Sequence, residues 1–586
     1  MPTASHKKLW PPSGRRLLRR LAVRGARFRR GTFLRLVRHF LNRLVRGGDD
    51  TPSAEFELGI GGLLGLLAAP GAFSCLLLLD KYSTLSNWIR GRPRADLYVA
   101  SLPDKYLFLS LAMAVTGIVT VLKLDKILPD AQDYLNLAPL PLRPRTILLA
   151  NATAIAAAVV VFAIDVNTVS MIFFPLFVTA AAQTNLGAFV AFVAVHAACV
   201  MLASFFTFCA VFALLGTLAA VLPREVFRAI SSWVRGLVLV AFLVLLLTGF
   251  SGPGLMLRLA GNSAVRFLPS FWYLGLYQSW QHRPTPALAD AAAASLPGAA
   301  AAFLLMAVTY ALSYRRRFAA VLEGGRRPAE RRAAAAVLAF LDLFCARAAG
   351  FPRACQRFVI RALLRNEAHR LAIAVSIGLG WLLALEDVAE GFDREAPLVA
   401  AYLLLLGLRV AFEIPASIAS NWIFRAAVDP RSNESLGVGR HVMLSFLTCF
   451  VLVPWLAYSW WRWGAVVALL DTAFVLALSL CLIEALLTGY RKVPLACPMP
   501  GFRDNFLMLC LLQVLAFEAF THLGAGLEQT ILMQPLLFPL LLLAMLAAWW
   551  WKRRRWQDAL AAGEAEPGLV FENLRTGAVE TLNLSD

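Results

Sequence analysis

Several stretches of this chain carry about 20 consecutive apolar residues, and that length constrains the fold more than any other feature. A helix rises 1.5 Å per residue, so about 20 residues match a hydrocarbon core of roughly 30 Å. Backbone amides in lipid have no water to bond, so such stretches must be helices unless they close into a barrel. The blocks are continuously apolar and lack the alternation of barrel strands. The expected class is all-α, a polytopic helical membrane protein.

Candidate spans are 57–79, 105–122, 146–164, 186–221, 233–250 and 295–313, then 371–385, 397–415, 442–460, 464–487, 506–522 and 531–550. This gives about 12 transmembrane helices, up to 14, in two six-helix halves. Nothing charged lies between Asp165 and Arg224, and parity demands an odd number of crossings there. Either a short dipping helix around 168–182 precedes one long span, or three short spans fill the interval. The first block is rich in Gly and contains Pro70, which suggests a bent or partly re-entrant segment.

Charge placement sets the orientation. The net charge is +20. Residues 1–50 hold 14 Lys/Arg against Asp49 and Asp50, and residues 314–370 hold 13 Arg against four acids. Both runs flank apolar blocks, which favours retention on the cytoplasmic side of an inner membrane over nucleic-acid binding. Both termini are then cytoplasmic. Loop 386–395, with five acids and only Arg394, falls outside, whereas Arg491, Lys492, Arg503 and the run Lys552–Arg555 fall inside. Loop 80–104 fits less well, because Lys81, Arg90, Arg92 and Arg94 would face outwards.

The chain therefore divides into a basic segment 1–56, a first transmembrane half 57–313, a basic linker 314–370, a second half 371–551 and a cytoplasmic tail 552–586. Within the first segment, Phe33, Leu34, Leu36, Val37, Phe40, Leu41, Leu44 and Val45 share one side of a helical wheel. Arg35, Arg38, His39, Asn42, Arg43 and Arg46 share the other, as suits a helix lying along an anionic leaflet. Trp455, Tyr458, Trp460, Trp461 and Trp463 read as an aromatic belt, and Phe267–Trp280 as an aromatic interfacial piece.

Chemistry-bearing motifs are scarce. There is no Gly-Lys dipeptide, hence no phosphate-wrapping G-x-x-x-x-G-K-[ST] loop, and no H-E-x-x-H, C-x-x-C or G-x-S-x-G. The nine cysteines sit mostly within apolar blocks and make no metal or disulfide spacing. No catalytic, cofactor or metal site is expected in this chain. His196 and Asp471 are the intramembrane polar candidates, each with an interhelical hydrogen bond as the simpler role. Arg409 and Glu413, one turn apart, read as a local ion pair.

Two loops stand at equivalent places in the halves. Loop 123–145 carries Asp130, Asp133, Tyr134, a Pro-stiffened stretch, Arg143 and Arg145; loop 420–441 carries Trp422, Arg425 and Arg440. Loops of fixed shape at matching positions suit docking of a soluble partner.

The run Tyr106–Asn151 resembles membrane subunits of type 2 ABC exporters, whose D-x-x-x-L-x-x-L-P-(L/V) stretch matches Asp133, Leu137, Leu140, Pro141, Leu142 and Arg143. Leu124 stands where that pattern has an aromatic. LPSFWYLGL (268–276), NWIFR (421–425) and YRKVPLACPMPG (490–501) look like the long, duplicated members of this class. The resemblance implies a permease subunit that exports a small-molecule or lipid-like substrate. It implies ATP bound on a separate ABC ATP-binding subunit, with both loops as coupling elements. The competing expectations are an ion-gradient-driven secondary transporter and a membrane enzyme or assembly scaffold.

Overall fold

A computed structural model describes residues 31–44, 60–89, 96–127, 143–250, 267–283, 286–322, 350–414, 416, 437–488, 490, 494–495, 506–534 and 537–561. Among them there are helices and no strands, as the apolar blocks require. The protein is an all-α, multi-pass membrane protein. Nine of the described helices are long and apolar enough to cross a membrane.

The helices in chain order are α1 (31–44), α2 (Ile60–Ile89), α3 (Leu102–Ile127, led in by Leu97–Ala100), α4 (Pro144–Ala181), α5 (Leu186–Val221) and α6 (Arg224–Phe250). Then come α7 (Pro269–Trp280), α8 (Pro286–Leu322), α9 (Gly350–Arg365), α10 (Glu367–Glu390), α11 (Ala396–Glu413), α12 (Gly437–Trp463) and α13 (Ala465–Leu486). Last are α14, built from Phe506–Glu518, a π turn Ala519–Leu523 and Gly524–Met533, and α15 (Leu537–Ala561).

The interval after Asp165 resolves differently from expectation. No separate dipping helix occupies 168–182, because α4 runs unbroken for 38 residues, about 57 Å. Pro175 sits inside it, and Thr179 Oγ1 turns back to donate to the Pro175 carbonyl at 2.7 Å. A tight reversal at 182–185, with Gln183 at φ 53°, leads into α5, and Asn185 caps that helix by accepting from the Ala188 amide. α5 is a single 36-residue helix, so the three-short-span alternative does not hold. Likewise α2 is one continuous helix through Pro70.

The chain forms two compact units. The first takes its described residues from 1–49, 58–223 and 244–326, the second from 224–243 and 327–586. In the first, α2 packs on α4, α3 on α5, and α5 on α8, with α7 inserted against α3, α5 and α8. Gly275 of α7 permits that insertion, since a Cβ there would stand 2.4 Å from the Leu288 carbonyl oxygen. Phe271, Tyr273, Leu274 and Tyr277 are buried in this core, as expected of a partly buried aromatic piece. Close packing of these side chains against α3, α5 and α8 holds it there.

α1 is helical and amphipathic, but protein rather than lipid covers part of its apolar face. Leu36 and Phe40 are buried against Ile147, Ala150 and Ala154 at the start of α4, while Arg35, Arg38 and His39 are exposed. Of the loop charges that fitted poorly, Lys81 pairs with Asp104 at 2.6 Å, and Arg90, Arg92 and Arg94 lie outside the described residues.

In the second unit α10 and α11 pack closely, with Gly380 against Ala400 and Gly407 so near Ser376 that no Cβ would fit. Residues of α11, α12 and α13 supply most of the buried core. Arg235 of α6, 3% exposed, pairs with Glu367 at 2.9 Å. The expected linker 314–370 contains the helix α9. It is held by Cys355, Val359, Ile360 and Leu363, all buried in the unit's core.

Candidate functional site: one buried polar cluster in each unit

The first unit's cluster is built around Lys105, which is 0% exposed near the start of α3. Its Nζ donates to the Tyr98 carbonyl at 2.8 Å and to Gln281 Oε1 at 2.6 Å. The rings of Tyr277 and Phe192 face the same nitrogen at 5.2 and 5.7 Å. A desolvated cation gains up to about 2 kcal/mol from such faces. Next to it Asp104, 5% exposed, accepts from Lys81 Nζ and from Tyr82 Oη at 2.6 Å.

His196 borders this cluster. Its Nδ1 lies 3.0 Å from Tyr277 Oη, and its ring is packed by Phe108, Phe174 and Tyr277. Nε2 is buried without a hydrogen-bond partner. Burial holds the Tyr277 phenol well above its usual range, so Oη keeps its proton and can donate.

The second cluster centres on Asp471 in α13, 1% exposed. Trp455 Nε1 of α12 donates to Asp471 Oδ2 at 2.8 Å. Glu528 of α14, also 1% exposed, lies beside the Asp471 carboxyl and accepts from Arg394 Nη1 at 2.9 Å. Two carboxyl groups thus face one guanidinium in a buried place. Asp471 Oδ1 and Glu528 Oε2 make no hydrogen bond with a donor group.

Two π turns aim these residues. Thr448–Leu452 precedes Trp455 within α12, and Ala519–Leu523 precedes Glu528 within α14. Such turns insert one residue into an α-helix and recur at functional sites. Trp455 is consequently 1% exposed and not part of a lipid-facing belt, unlike Trp460 and Trp461 at 55% and 81%. At the rim of the cluster, His522 lies near Glu395 and Glu518, and Tyr458 Oη donates to Asp393.

Of the expected docking residues, Arg143 and Arg145 are exposed at the start of α4, where Arg143 is extended and Pro144 occupies the first helical position. Arg440 of α12 pairs with Glu484 of α13. Asp130, Asp133, Tyr134, Trp422 and Arg425 lie outside the described residues, as does the tail beyond 561. Arg409 pairs with Glu413 at 2.5 Å and also donates from Nε to the Leu486 carbonyl. Neither Lys105, the first residue of the expected span 105–122, nor Glu528, between the expected spans 506–522 and 531–550, stands among the sequence candidates. Lys105 carried a signal: no acid other than Asp104 lies within a turn of it. No protein-family model, curated protein or solved structure matches the chain.

Proposed function

We propose that this chain is the transmembrane subunit of an ATP-driven exporter of the ABC type, residing in an inner membrane and docking a separate ATP-binding subunit. One observation carries the reading. Each half is preceded by a basic amphipathic helix, α1 before α2 and α9 before α10, and each of these helices seats its apolar side on its own unit. That repeat supports a parallel duplication, in which two like halves flank a pathway. Arginines clustered where both halves begin suit the cytoplasmic face. The chain has no phosphate loop, so the energy source belongs to a partner.

The docking elements are the segments around 123–145 and 416–441, with Asp130, Asp133, Tyr134, Arg143, Arg145, Trp422, Arg425 and Arg440 as contacts. The test is co-purification with an ABC-type ATP-binding protein from the cells that make this chain. Replacing Asp133 and Arg143 together should abolish capture while leaving the membrane yield intact. Full capture by that double variant would remove these loops from the interface.

A second reading, an ion-gradient-driven transporter, draws support from the carboxyl pair Asp471 and Glu528, since ionisable groups buried in spans mark ion pathways in many transporters. It requires Asp471→Asn to abolish transport and to leave ATP-binding subunits irrelevant. The exporter reading requires the reverse.

A further inference from the structure

α9 presents Arg353, Arg357, Arg361 and Arg365 at intervals of four residues, so the four side chains climb one face over about 18 Å. They line an open groove of about 610 Å³ with Phe358 and two alanines. The helix cannot roll to withdraw this row, because Cys355, Val359, Ile360 and Leu363 on the opposite side are all at most 2% exposed. Arg361 and Arg365 are exposed, and Phe358 is 37% exposed among them.

The row also has a defined level. It ends at Arg365, and Asn366 then caps α10 by accepting from the Ala368 amide at 3.1 Å. α10 is one of the helices able to cross a membrane, so the arginines stand where a span leaves the hydrocarbon. The nearest acid in sequence, Glu367, is engaged by Arg235.

We propose that this groove holds the headgroup of an anionic phospholipid. Guanidinium groups match phosphate oxygens in paired hydrogen bonds, and an apolar ring between them suits the glycerol and upper acyl region of a lipid. A soluble anion would gain nothing from Phe358. An acidic protein surface would not need the row to sit at the end of a span. The assignment holds whichever way the chain is energised.

The experiment is native mass spectrometry of the full-length protein in mild detergent, doped with equal phosphatidylglycerol and phosphatidylcholine. The wild type should retain phosphatidylglycerol preferentially. Each cation near an anionic headgroup contributes about fivefold, so replacing all four arginines by Gln should lower that retention at least about tenfold. Arg361→Gln alone, at an exposed position that leaves the fold intact, should lower it about fivefold, and Arg361→Lys should largely preserve it. Unchanged retention in Arg361→Gln would overturn the proposal. Displacement of phosphatidylglycerol by millimolar inorganic phosphate would overturn it in favour of a free-anion site. Intact lipid retention with lost capture of the ATP-binding subunit would overturn it in favour of a protein contact.

Discussion

Each unit buries a carboxylate that meets a cation, Asp104 with Lys81 and Glu528 with Arg394, but only the first also buries a lysine among neutral partners. Lys105 in the first is enclosed by neutral partners, a carbonyl, an amide oxygen and two aromatic faces. Asp471 and Glu528 in the second depend on one charged partner, Arg394, and on the Trp455 indole. A neutral cage tolerates loss of the group it encloses, because what remains is largely apolar. A charge-matched cluster does not, because removing the cation strands the carboxyls. The first arrangement is built for position and the second is poised for change.

The sharpest way to break this contrast is Arg394→Ala. Uncompensated buried charge costs about 3–5 kcal/mol, so this variant should show the largest loss of thermal stability in detergent. The same substitution in an Asp471→Asn, Glu528→Gln background should cost much less, since no carboxylate is then left behind. Equal costs in both backgrounds would show that Arg394 acts through packing alone. Lys105→Met comes next. It leaves the Tyr98 carbonyl and Gln281 short of a donor but fills the cage with an apolar chain, for about 1–3 kcal/mol. A cost above that of Arg394→Ala would invert the comparison.

Helix positions were legible because the apolar length needed to cross lipid is a one-dimensional property. Each of the twelve expected spans falls mainly on one described helix, α2–α6, α8 and α10–α15, and α1 falls in the basic segment. What surrounds each polar group was not legible, for a specific reason. A π turn adds a residue and shifts every later side chain by about 100° around the axis. After Leu452 a regular wheel therefore misassigns faces, so Trp455 read as a belt residue, whereas Glu528 fell between the expected spans 506–522 and 531–550. Lys105 was hidden differently. Its partner Gln281 lies 176 positions away, and no local pattern brings α3 to the end of α7. The helix α9 could have been found, since its arginines repeat every four residues opposite Val359, Ile360 and Leu363.

Smaller effects sharpen the picture further. Tyr277→Phe keeps the ring over Lys105 and removes only the bond to His196, so it should cost about 1 kcal/mol. A loss as large as that of Lys105→Met would make the hydroxyl, not the ring, the support of the cage. Cys355, on the buried side of α9, has its thiol pushed up to about 11 by burial. Little of the reactive thiolate is present well below that pH, so at pH 8 Cys355 should resist alkylation in the folded protein and react on denaturation. Ready alkylation at pH 8 would mean that α9 detaches from its unit.

The exporter reading requires both basic helices to lie on the same side of the membrane, with the acidic turn after α10 on the other. Cysteines introduced singly at Arg38, Arg361 and Phe392 can be probed with a membrane-impermeant maleimide, against the unsubstituted chain as background. Phe392→Cys should label in intact cells, and Arg38→Cys and Arg361→Cys only after the membrane is opened. Labelling of Arg38→Cys and Arg361→Cys from opposite sides would contradict the duplicated architecture and the exporter reading built on it.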